Sequence, residues 1–346
     1  MAATIDDALE ILASTGPEYG DSGFANHGPM AAEALFALER PDAAIPWVES
    51  YKTRLRDHPE AHNPIFQGEW REALGDASRG ADWVEFFDHK LAEASWEDVI
   101  GMWVPILAPA LMAAATHGLI RTSHAVRSLS HSQTKYRIHE LAEGLAYWAT
   151  HYQLLPGRPS GRDQGFDPLT ALEHVERIHG PDFDASGSIT QQIRGLDDQP
   201  EFAGAIELVD TSGDLPTFIS RLTESFAGLY LVNQRGVIAF VHTVTAPSLL
   251  RVLAPYLSDT DARAVARYAW QGCAGIYAWY SVAPPPLASD EFPLPRGDRD
   301  ALIDQAIAVG GPHTIKFTEA CLREYDFNPK PVYLAAAWDA TARVDY

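Results

Sequence analysis

Four of the thirteen histidines stand in apolar or glycine-rich surroundings, where a solvated imidazole is out of place. His27 lies in Asn26-His-Gly-Pro-Met-Ala-Ala-Glu and His117 in Ala115-Thr-His-Gly-Leu-Ile-Arg. His242 lies in Phe240-Val-His-Thr-Val-Thr-Ala-Pro and His313 in Gly311-Pro-His-Thr-Ile-Lys-Phe-Thr-Glu-Ala. A buried imidazole needs a partner for each ring nitrogen. For any one of the four, a hydrogen-bonded core histidine meets that need. Four of them on four expected helices also match the way helical bundles build metal sites, with one or two inward side chains per helix.

Spacing limits the set. His117, His124 and His131 recur every seven residues, so they share a helix face. They rise about 10 Å per step, against a metal–imidazole bond of about 2 Å, so only one of the three can hold a given ion. Arg121, one turn after His117, is positioned to clamp an anionic oxygen. Arg121 and His124 are therefore the candidate substrate contacts. Lys316 stands at i+3 from His313, beside it on a helix. An ammonium cannot ligate, so Lys316 serves a metal only when deprotonated or carboxylated by CO₂; otherwise it pairs with Glu319 or Glu324. His58 and His62, in Asp57-His-Pro-Glu-Ala-His-Asn-Pro, read as exposed loop, and His89, His174 and His179 as solvated helix faces.

Other chemistries lack their motifs. The chain has no G-x-G-x-x-G, P-loop, H-E-x-x-H, G-x-S-x-G or C-x-x-C pattern. Histidines, carboxylates or a metal they hold must carry any catalysis.

The elements that would position these side chains are helices almost throughout. Amphipathic periods run over 3–14, 29–38, 45–56, 80–93, 135–152, 168–179, 197–209, 213–232, 235–255, 259–281, 298–309 and 313–325, punctuated by Asp, Ser, Pro and Gly. Short alternating runs at 229–232 and 237–242 lie inside longer helical patterns. The expected fold is all-α, a single multi-helix bundle over 1–346 with long Pro/Gly loops at 155–168 and 282–296, the first a possible division. Val99 to Ile120 carries no charge over 22 residues, but Pro105, Pro109 and His117 interrupt it, so it reads as a buried core helix rather than a membrane span.

Composition bounds the function classes. The chain has 346 residues, 46% of them hydrophobic, and a formal net charge of −21. It has no Lys/Arg cluster, which disfavours nucleic acid and anionic membranes as partners. Two cysteines, Cys273 and Cys321, point to a reducing, cytoplasmic setting. The acidic Met1-Ala-Ala-Thr-Ile-Asp-Asp start is not expected to be a secretory signal.

Five stretches together resemble the questin oxidase-like family: N-H-G-P-M-A-A-E-A-L at 26–35, H-G-L-I-R at 117–121, H-E-L-A-E-G-L-A-Y-W-A at 139–149, V-H-T-V-T-A-P at 241–247 and H-T-I-K-F-T-E-A at 313–320. The resemblance implies an O₂-dependent oxygenase that inserts oxygen into, or oxidatively cleaves, a ring of an anthraquinone-like polyketide by Baeyer–Villiger-type chemistry. It implies a non-haem Fe(II) centre with His27, His117, His242 and His313 as ligands and a carboxylated Lys316 as a fifth. It also implies NADPH as an external reductant, for which the sequence carries no fingerprint. The aromatics Trp103, Trp270, Tyr277 and Trp279 are candidates to line a flat pocket. Imidazoles equally suit zinc. A zinc hydrolase and a non-catalytic binder of aromatic metabolites therefore stay open as alternatives.

Overall fold

Helix caps fall where the sequence puts its small polar residues. The side chains of Thr4, Ser95, Thr134, Asp167, Asp214, Ser258 and Asp298 each accept a backbone N–H of the helix they open. The structure is a computed structural model. It describes residues 3–19, 24–160, 165–180, 182–284, 292 and 297–344.

Among these residues the order is α1 (Ile5–Leu12), β1 (Thr15–Tyr19), β2 (Phe24–Ala25), α2 (Gly28–Ala37), α3 (Pro41–Lys52), β3 (Leu55–Asp57), α4 (Trp70–Ala73), α5 (Gly80–Glu93), α6 (Trp96–Leu107), α7 (His117–His131) and α8 (Lys135–Thr150). There follow α9 (Pro168–Leu172), α10 (Ile189–Gln192), α11 (Leu215–Val232), α12 (Val237–Ser248), α13 (Leu250–Leu253), α14 (Asp259–Tyr280), α15 (Arg299–Val309), α16 (Pro312–Phe327) and α17 (Pro331–Arg343). The fold is mostly helical, as expected. Most of the 155–168 connection is described, apart from 161–164, whereas most of 282–296 lies outside the described residues.

Five local expectations are corrected. A small antiparallel sheet of order β2-β1-β3 stands beside the helices, too short for alternation to reveal. The apolar run 99–120 is not one helix. It is the end of α6, a 3₁₀ turn at Ala108–Ala110, a reversal and the start of α7. Pro109 lacks the N–H to carry α6 onward. Residues 168–179 are helical only to Leu172, and 197–209 winds as 3₁₀ helix over Pro200–Glu207. Finally, α12 stops at Ser248, just past Pro247, and α13 restarts separately. One stretch, Val237–Tyr256, is apolar and long enough to cross a membrane, and 72% of its most apolar window is buried in the protein.

One continuous cluster of buried side chains draws on residues from Met30 to Val344, on both sides of 155–168. Within it α7 and α8 cross at backbone contact. A methyl group on Gly118 would lie 2.6 Å from Trp148 Cα, and one on Gly144 would lie 2.8 Å from the Thr122 nitrogen. Only glycine permits this approach. It fixes the helix that begins with His117.

Candidate metal centre

Four helices deliver the four histidines to one place. His27 is the N-cap of α2, His117 opens α7, and His313 follows Pro312 at the start of α16. His242 sits on the second turn of α12. The sheet sets His27. Strand β2 ends at Ala25, and the side-chain amide of the next residue, Asn26, donates to Gly16 O while its Oδ1 accepts Gly28 N–H. His117 is set by a backbone reversal in which Ala114, Ala115 and Thr116 all take left-handed conformations, with φ of 47°, 54° and 69°. Three such non-glycine residues in a row are strained, at about 1–2 kcal/mol each.

The rings meet closely. His27 Nε2 lies 2.8 Å from His117 Nε2, and His242 Nε2 lies 3.4 Å from the same atom. The His313 ring centroid is 4.4 Å from that of His27 and 5.4 Å from that of His242. One nitrogen each from His27, His117 and His313 fall within 4.8 Å of one another. Two nitrogens bound at a right angle to one ion at about 2.1 Å are about 3 Å apart, so the observed spacings suit a shared ion.

Tautomers decide what these nitrogens offer. His117 Nδ1–H donates to Ala114 O at 2.6 Å, and His242 Nδ1–H donates to Ile238 O at 2.7 Å. A carbonyl only accepts, so in the neutral rings the Nε2 atoms of both carry the lone pairs, which face each other. Opposed lone pairs repel, and a cation between them removes the conflict. The carbonyls on Nδ1 are the outer partners that metal-bound histidines require. Burial drives the protonation of His27 and His117 well below the usual imidazole range, helped by Lys316 and the neighbouring rings. Both are therefore neutral, the form that ligates. Lys316 is buried one turn beyond His313, close enough for its charge to press on both rings.

The cluster forms one wall of a cavity of about 680 Å³, within the range of ligand pockets. Phe24, Tyr147 and Tyr280 bring aromatic surface to it, and Arg194 and Arg343 line it as well, the Arg343 guanidinium being held by Asp339 and by the carbonyls of Asn233 and Tyr230.

The structure does not bring the two candidate substrate contacts to this cavity. Arg121 donates from Nε and Nη2 to Glu140 of α8 at 2.6 and 2.8 Å. His124 is paired at 2.6 Å with Glu33 of α2. The expected aromatic lining differs as well. Trp103 packs in a core cluster with Trp83, Phe86 and Phe87, Trp270 donates to Ala205 O, and Trp279 packs on His179. Phe24, Tyr280, Arg194 and Arg343 had no local signal, because nothing in their neighbouring residues marks a cavity wall. Tyr147 lies in the 139–149 stretch, without a feature that gives its role.

The family model described as Questin oxidase-like matches residues 24–321, a span that includes all four histidines and Lys316. The chain belongs to the questin oxidase-like family. No curated protein matches the sequence. Membership of this oxidase family makes the chain an oxidoreductase with a small-molecule substrate.

Proposed function

We propose that His27, His117, His242 and His313 hold one iron(II) ion, and that this questin oxidase-like chain is an O₂-dependent oxygenase of a polycyclic aromatic, anthraquinone-like polyketide. The observation that carries the reading is the meeting of neutral imidazoles, two with carbonyl-fixed lone pairs, at the wall of a cavity of about 680 Å³. Iron(II) supplies the one-electron chemistry with O₂ that closed-shell side chains lack.

The chain's own residues do the rest. The carbonyls of Ala114 and Ile238 keep His117 and His242 in the ligating tautomer. The aromatic faces of Phe24, Tyr147 and Tyr280 give a flat substrate surface to lie against, and Arg194 favours its phenolic or quinone oxygens. Lys316 is the proposed fifth ligand. Carboxylation turns its buried positive charge, unfavourable beside a dication, into an anionic carbamate. Insertion of one oxygen atom, as in a Baeyer–Villiger reaction, consumes two electrons and two protons per O₂, with NADPH as the external reductant and water as co-product. Ring cleavage that keeps both atoms needs no reductant.

The test is elemental mass spectrometry on protein purified anaerobically without a metal-affinity tag. About one iron per chain is expected, followed by O₂ uptake with anthraquinones. His27→Ala and His242→Ala lose both metal and turnover. Stoichiometric zinc replaces this reading with a hydrolase. Protein that also refuses added Fe(II) but binds a quinone replaces it with a binder.

A further inference from the structure

A second layer of charge ties together the same four helices that carry the histidines, about 9–10 Å along each. Glu33 stands six residues after His27, Glu319 six after His313, Ser248 six after His242 and His124 seven after His117. Arg127 of α7 joins them. Its Nε donates to Glu33 Oε1 at 2.8 Å, its Nη2 donates to Glu33 Oε2, and its Nη1 donates to Glu319 Oε1. His124 pairs with the same Glu33 carboxylate. Arg323 then carries the chain onward. It holds Glu319 at 2.9 Å and donates at 2.7 Å to the carbonyl of Ser248, the last residue of α12. Glu33, His124 and Glu319 are all buried.

We infer that Arg127 is a positioning residue for the metal centre, and that the network Glu33–His124–Arg127–Glu319–Arg323–Ser248 sets the relative placement of α2, α7, α12 and α16. The inference rests on the reading of the histidines as a metal centre. Each histidine comes from a different helix, so a small slide of one helix past another moves one nitrogen out of bonding range. Bidentate guanidinium–carboxylate pairs resist such slides because both hydrogen bonds of a fork must be kept at once. Two carboxylates and two guanidiniums balance in charge, so His124 completes the network as a neutral donor to Glu33. Burial, which lowers its affinity for a proton, agrees with this. Without a pairing of this kind, one buried charge would be left uncompensated.

Co(II) is the probe, because its visible absorption reports ligand number and geometry independently of turnover. Arg127→Met is expected to bind Co(II) several-fold more weakly, up to about 30-fold, the range by which residues that touch no ligand shift a site, and to alter the ligand-field bands. Arg127→Lys, which keeps the charge but not the fork, recovers part of the loss. Asp82→Ala is the control. It removes a buried carboxylate on α5 that holds the His62 and Asn63 N–H groups and Arg79, and it is expected to lower the melting temperature without changing Co(II) affinity or spectrum. If Arg127→Met does not fold, Glu319→Gln is measured against the same expectation. Wild-type affinity and spectrum in the folded variant, or an equal loss in Asp82→Ala, overturns the positioning role alone. Wild-type protein that takes up no Co(II) overturns the metal reading beneath it.

Discussion

At the scale of single residues, strain and tautomer are set side by side. The three left-handed residues before His117 place the Ala114 carbonyl where His117 Nδ1–H reaches it. That arrangement costs backbone energy and fixes the ring of a proposed ligand. Glycine at such a position removes the steric penalty but gains unfolded-state freedom. Ala115→Gly is therefore expected to hold or raise stability, by up to about 1 kcal/mol, in urea unfolding. Ala115→Val, with a β-branched side chain at positive φ, is expected to lose about 2 kcal/mol or more. A loss in the glycine variant as large as in the valine variant would mean that methyl packing, not backbone strain, governs this turn.

At the scale of elements, the crossing of α7 and α8 depends on Gly118 and Gly144. Both lie in stretches that carry the family resemblance, one directly after His117. Gly118→Ala forces the helices apart, because the atoms it meets belong to the Trp148 backbone and inner side chain rather than to a flexible tip. A cost of about 1–3 kcal/mol is expected in thermal or urea unfolding, together with weaker metal retention, since His117 moves with its helix. Unchanged stability would show that α7 and α8 can separate without penalty. Gly144→Ala meets the Thr122 backbone from the other side and is expected to behave alike.

At the scale of the whole molecule, two conditions govern stability. The first is pH. Burial alone would raise the Glu33 carboxyl, but the Arg127 guanidinium and the His124 hydrogen bond outweigh it and hold it at about 2. A depressed carboxylate contributes stability in full above its unfolded value near 4.5 and loses it as pH falls toward about 2. The amount is on the order of 3 kcal/mol. Denaturation midpoints should fall steeply between those pH values, and the Glu33→Gln variant should lack that part of the slope. The second is the proposed metal. A ligand that binds only the folded chain stabilises it by about 4 kcal/mol at a free concentration 1,000 times its dissociation constant. Chelation should therefore lower the melting temperature of wild-type protein and leave His242→Ala unaffected.

The helical class and the choice of the four histidines were legible in local stretches of chain. The 3.6-residue periods, the Ser and Asp caps and the apolar setting of each imidazole are local properties, read within a turn or two of chain. The short sheet and the left-handed turn at 114–116 were not legible. One is held by pairing between segments some 40 residues apart in sequence, between Thr15 and Asp57, and the other is built from alanine and threonine, which do not announce it. Arg121 and His124 share a helix face direction with His117 in sequence terms, yet their partners, Glu140 and Glu33, come from other helices. Which polar side chain faces the cavity and which is held in an ion pair depends on what packs opposite it. No residue's neighbours in sequence carry that information. It is settled when the helices pack against one another.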